Sequence, residues 1–169
     1  MFAQFLLLML LPALLAAAAA WDLASFTIPN SLTVAIAALF LPFALVLGMP
    51  LGMLGQHLLA GLIALIIGFT MFARNFIGGG DGKLYAGIGL WLGLHDLVAY
   101  TLIATILGGL LTLALLGLRQ LPLPAGLARQ SWLLKLHDTR SGVPYGVALA
   151  AGVFMILPQA EILRLAAAG

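Results

Sequence analysis

Five acidic side chains and no cysteine limit the chemistry open to this chain. Lacking cysteine, it has no thiolate nucleophile, no disulfide and no Cys-ligated zinc. Asp138 sits in a polar, basic loop and reads as solvated surface. Asp96 and Glu161 fall at the ends of apolar runs, where capping, or pairing with His95 or Arg164, accounts for them. Asp22 and Asp81 have stranger surroundings. Asp22 directly follows an apolar run and precedes Ile28-Pro29-Asn30, where proline pushes Ile28 to extended geometry. Asp81 stands in Gly78-Gly79-Gly80-Asp81-Gly82-Lys83-Leu84. Each glycine costs roughly 1 kcal/mol in a helix. The cluster makes sense where another backbone must approach the carboxylate, or where φ is positive. The plainer alternative is that Asp81 caps one helix and Asp22 ends another; spacing alone leaves both open. If folding joins them, two carboxylates cannot both ionise easily. They share a proton, and one serves as base while the other serves as acid. A helix C-terminus at Asp22 disfavours negative charge and a helix N-terminus at Asp81 favours it, which makes Asp81 the ionised member.

No other constellation competes with this pair. His57, Gln56 and His95 lie near the outer ends of apolar runs and read as interfacial. No set of His, Asp and Glu has metal-ligand spacing, and no Ser-His-Asp arrangement stands out. Neither a metal nor an organic cofactor is expected. Lys83 reads as an anchor at the membrane surface, or as a charge acting on the dyad or on an acidic group of a substrate.

The elements that must hold these residues follow from composition. Of 169 residues, 64% are hydrophobic and 7% charged, and the mean hydropathy is +1.21. Soluble domains carry about 25% charged residues. Continuous apolar runs of about 20 residues suit bilayer-spanning helices; alternation, the mark of a barrel, is missing. The expected fold is all-α: one integral-membrane domain over residues 1–169 with about six transmembrane helices. These cover residues 2–20, 31–49 with Pro42 inside as a kink, 54–73, 80–94, 97–118 and 143–163. The first run ends in alanines like a cleavage zone but has no basic residue before it. It therefore reads as a retained span rather than a signal peptide. The net charge of +2 includes no basic cluster able to track nucleic acid; the lipid bilayer is the expected surrounding.

Charge sets the expected orientation. Arg74, Lys83, Arg119, Arg129, Lys135 and Arg140 all fall on one side of a six-span chain, and Arg164 alone falls opposite. Basic excess marks the cytoplasmic face, and the same count places Asp22 and Asp81 there. In the loop 119–142, Trp132, Leu133, Leu134 and Leu136 among basic residues fit either a short helix at headgroup level or a simple tether.

Three segments carry a family resemblance. Gly78-Gly79-Gly80-Asp81-Gly82-Lys83 resembles the Gly-x-Gly-Asp-x-Lys motif of the type IV prepilin peptidases. Asp22 with Ile28-Pro29-Asn30 resembles that family's first aspartate and its following Ile-Pro-Asn. Pro144-Tyr145-Gly146 resembles the segment opening its last span. The three occur in the family's order. The short length is similar to the subgroup that processes Flp-type pilins of tight-adherence systems. One departure is Ala24, Ser25 and Phe26, where members of that subgroup often carry arginines.

The resemblance implies a membrane aspartic endopeptidase with Asp22 and Asp81 as its catalytic pair. Gly78, Gly80, Gly82, Lys83, Pro29, Asn30, Pro144, Tyr145 and Gly146 would bind substrate or support the site. It implies a prepilin or pseudopilin substrate cleaved at the cytoplasmic face of the bacterial inner membrane. Larger members also N-methylate the new terminus through a cysteine-rich segment; with no cysteine, peptidase activity alone is expected. A presenilin-type peptidase would carry Pro-Ala-Leu after its second aspartate, but Pro12-Ala13-Leu14 precedes both here. A small proton- or cation-coupled transporter using the same aspartates is the alternative from another class. A non-enzymatic assembly subunit, the third, would tolerate Asp22→Asn and Asp81→Asn.

Overall fold

The computed structural model describes residues 2–124, 126 and 129–168, and these are all-α with no strand among them. The helices are α1 (Phe2–Ser25), α2 (Asn30–Val46), α3 (Leu51–Ala73), α4 (Gly79–Leu118), α5 (Ser131–His137), α6 (Tyr145–Ile156) and α7 (Glu161–Ala168). α3 and α4 are long and apolar enough to cross a bilayer, and Met9–Ser25, α2 and the α6 region are shorter apolar helices. Their outer faces are greasy: Leu58, Leu62, Leu65 and Phe69 of α3 and Val98, Leu102, Ile106 and Leu113 of α4 are exposed. An apolar face of that extent suits lipid rather than water.

The boundaries differ from the sequence-based expectation in instructive ways. α1 runs on to Ser25, so Asp22 lies in its last turn rather than in a loop. The chain leaves that helix through Phe26 at φ 59°, with the Phe26 amide donating to Asp22 O at 2.7 Å. Pro29 and Pro50 open α2 and α3 as N-caps, which proline suits because that position needs no amide donor. α2 runs through Pro42 without a break in its assignment. The expected last span, 143–163, is two helices. α6 ends at Ile156, a 3-10 turn spans Leu157–Gln159 with Pro158, and α7 follows. At 12 residues, α6 rises only about 18 Å.

The expected fourth and fifth spans form one assigned helix that is broken at Gly93, where φ is 72° and ψ is 177°. Breaking the helix frees the Leu90 carbonyl, and His57 of α3 takes it up: Nδ1 lies 2.9 Å from Leu90 O. His57 is fully buried and stacks on Phe40 at 5.3 Å between ring centroids. Its expected interfacial position is therefore wrong. A burial-tolerant imidazole fills a polar need that a helix break creates inside the bundle. Glycine is required at 93 twice over, by its positive φ and because a Cβ would stand 3.0 Å from the His57 ring.

Asp96 does cap and pair, as its position suggested. One oxygen accepts the Glu161 amide at 3.0 Å, opening α7, and the other lies 2.8 Å from His95 Nδ1. No Lys or Arg side chain forms an ion pair with a carboxylate among the described residues. In the loop 119–142, α5 forms a short helix with Leu136 buried; Ala125, Leu127 and Ala128 of that loop lie outside the described residues.

Candidate active site

Three helix ends meet around Asp22 and Asp81. Asp22 hangs from the last turn of α1, Asp81 stands in the first turn of α4, and Gly146 begins α6. Both carboxylates are buried, at 3% and 7% exposed. The Gly146 amide donates to Asp22 Oδ2 at 2.7 Å. Both acid-bearing helix ends pack on the same side chain: Gly80, next to Asp81, and Gly146, against Asp22, each lie against Ile28.

Asp81 has a capping role too. Its Oδ2 accepts the Gly78 amide at 3.1 Å, closing the N-terminus of α4. That is the plainer alternative raised by the sequence, and it occupies only one oxygen. Among the described residues no group bonds Asp81 Oδ1, although it is buried. A buried carboxylate oxygen without a protein partner costs free energy if it is ionised. The dipole asymmetry expected between the acids is weaker than the sequence suggested, because Asp22 also meets a helix N-terminus, that of α6.

The glycines divide the work of close approach. At Gly146 a Cβ would stand 2.8 Å from both Asp22 Oδ2 and Ile28 Cδ1. At Gly80 it would stand 3.0 Å from Ile28 Cβ and 3.2 Å from the Ile28 amide nitrogen. Ile28, itself buried, is wedged between the two glycines and locks the α1–α2 turn against α4 and α6. Gly82 serves packing rather than the site: α3 crosses here, and a Cβ on Gly82 would lie 3.0 Å from Gly68 O.

The remaining expected residues make no side-chain hydrogen bond to either acid among the described residues. Lys83 is turned away from the acids; its ammonium donates to Asn30 Oδ1 at 2.8 Å, joining the second and fourth helices. Pro29 and Pro144 are N-caps of α2 and α6. Tyr145 lies against Gly108, where a Cβ would meet its ring at 3.0 Å, and its hydroxyl is 3.4 Å from Thr112 Oγ1.

A cavity of about 410 Å³ opens beside Asp81, with Tyr85, Thr101, Thr105 and Tyr145 as its polar lining and Ile67 and Met71 among its apolar walls. Tyr85 was missed from the sequence, although it stands four residues after Asp81 and so on the same helix face. Its hydroxyl is 2.7 Å from Thr101 Oγ1. Lys135, Arg119 and Phe26 also bear on the site, and no spacing rule points to them. No His, Cys, Asp and Glu grouping that would hold a metal occurs among the described residues.

The arrangement offers two buried acids, each held by one backbone amide, and an adjoining apolar cavity, which suits proton transfer. No curated protein and no solved structure matches the chain. The model of the type IV leader peptidase family matches residues 9–113, which hold both aspartates and both flanking motifs but not the segment at Gly146. Matched over more than half of its length, the chain belongs to the type IV leader peptidase family.

Proposed function

We propose that the chain is an aspartic endopeptidase that removes the basic leader from prepilins or pseudopilins. The observation that carries this reading is the burial of both Asp22 and Asp81 at helix ends packed on Ile28, with the Gly146 amide bonded to Asp22 Oδ2. In this mechanism one carboxylate takes a proton from a water molecule, whose oxygen attacks the scissile carbonyl carbon. The protonated carboxyl gives its proton to the carbonyl oxygen. Collapse of the tetrahedral diol breaks the C–N bond, and the amine leaves with a proton. The pair titrates as a unit throughout. The apolar cavity beside Asp81 suits a substrate whose mature part begins as an apolar helix in the bilayer.

Cleavage takes place on the cytoplasmic face of a bacterial inner membrane. Lys83 and Lys135 anchor at the same end of the bundle as the two acids, which supports that side by the bias of basic residues. The reaction ends at hydrolysis; the absence of cysteine argues against a family-type methyltransferase segment. The deciding experiment is processing of a coexpressed pilin precursor by wild type, Asp22→Asn and Asp81→Asn at matched expression. Wild type should cut the precursor and neither variant should. A precursor left whole by wild type, or cut by either variant, overturns the proposal.

A further inference from the structure

The hydrogen bond between Asp22 and Gly146 joins two segments that the fold must hold from elsewhere. Asp22 is in the last turn of α1, which ends at Ser25 and exits through Phe26 in the left-handed region. Such a conformation is strained for a phenylalanine and persists only when its surroundings fix it. Gly146 is the second residue of α6 and follows the non-helical stretch 138–144. Both segments are tied to the loop 119–142.

Lys135 of α5 donates to Ser25 O at 3.0 Å, and its ammonium stands 5.7 Å from the centre of the Phe26 ring. One side chain thus binds the last carbonyl of α1, where a cation is favoured, and covers the strained residue beyond it. Arg119, just after α4, spans the loop itself. Its Nε donates to Leu136 O at 2.9 Å, and its Nη2 donates to Gly142 O at 2.8 Å. Leu136 is buried and fastens α5 to the bundle. The guanidinium fork therefore fixes α5 and the approach to Gly146 in one rigid geometry. Arg140, in the same loop, shows no such side-chain bond among the described residues.

We propose that Lys135 and Arg119 are positioning residues for the aspartate pair: together they hold both ends of the Asp22–Gly146 hydrogen bond at its catalytic spacing. This rests on the peptidase reading above. Neither residue touches the carboxylates; each acts through backbone carbonyls. Loosening either end by about 1 Å costs turnover by up to about 100-fold and leaves substrate affinity alone.

The test is steady-state cleavage of a purified pilin precursor by the full-length protein in detergent or liposomes. It compares wild type with Lys135→Met, Lys135→Arg, Arg119→Gln, Arg140→Gln and Asp22→Asn, with thermal melting of each. Lys135→Met and Arg119→Gln should lower kcat about 10- to 100-fold with KM within about twofold. Lys135→Arg, which keeps a donor, should recover most of the loss. Arg140→Gln removes the same charge from the same loop and should match wild type. The inference is overturned if Lys135→Met matches Arg140→Gln, or if its loss lies in KM alone. It fails equally if the loss merely follows a lowered melting temperature that Lys135→Arg does not restore. Activity surviving in Asp22→Asn would instead sink the peptidase reading itself, whatever the loop variants do.

Discussion

At the scale of single residues, the site depends on what is small as much as on what is charged. Gly146 presents its amide to Asp22 because nothing projects from its α-carbon; a methyl group would stand 2.8 Å from the carboxylate and from Ile28. Gly146→Ala is expected to displace Asp22 or Ile28 and to cut processing by at least about tenfold, since a misplacement near 1 Å is enough for that. The protein should still accumulate, because the nearest atoms belong to the side chains of Asp22 and Ile28 rather than to backbone. Comparing precursor cleavage with membrane abundance checks this; full activity in Gly146→Ala would show that the amide is dispensable. Loss of either carboxylate has a larger effect. Asp81→Asn and Asp22→Asn should each lower the cleavage rate by about 10²- to 10⁴-fold, the range for removing a general acid or base. Lys83, whose ammonium is bonded to Asn30, should matter less: Lys83→Gln keeps a hydrogen-bond donor and should retain most of the activity in the same assay.

At the scale of elements, the molecule turns on the break at Gly93. A continuous α4 of 40 residues would extend about 60 Å, twice the hydrocarbon thickness of about 30 Å. Folding back at Gly93 places Thr101 beside Tyr85 and builds the cavity next to Asp81. The break is maintained by one glycine and one histidine. Gly93→Ala should destabilise the fold by about 1–3 kcal/mol through its φ and its contact with His57. His57→Leu should cost a similar amount, about 1–3 kcal/mol, by leaving the Leu90 carbonyl buried and unpaired. Both are read by thermal melting in detergent. A His57→Leu variant as stable as wild type would mean that Leu90 O needs no partner. The legibility of these elements in the sequence was uneven. The apolar runs marked α2, α3 and both halves of α4 to within a few residues, because hydropathy is a local property. The end of α1 was misplaced, since Ser25 and Phe26 are fixed by contacts from Lys135. The last helix was misread as continuous, because its break is completed by Asp96 from across the bundle.

At the scale of the whole molecule, α1, α4 and α6 bring their ends together at one face, and the basic loops lie at that same face. Absence of cysteine makes the orientation directly measurable. Single cysteines at Asn75 and Arg140 should react with an impermeant maleimide only from the cytoplasmic side, and one at Gly48 only from the other side. Labelling of Arg140→Cys and Gly48→Cys from the same side would overturn the assigned topology. Local composition determined that this chain is helical and strongly apolar, and spacing singled out Asp22 and Asp81 as candidates, because apolar content and glycine clusters are written in neighbouring residues. They could not determine that His57 is buried, that Lys83 faces Asn30, or that Lys135 reaches Ser25. Those contacts join positions 33, 53 and 110 residues apart. Such pairings exist only once helices have packed, and packing is decided by the summed fit of many surfaces rather than by any one segment.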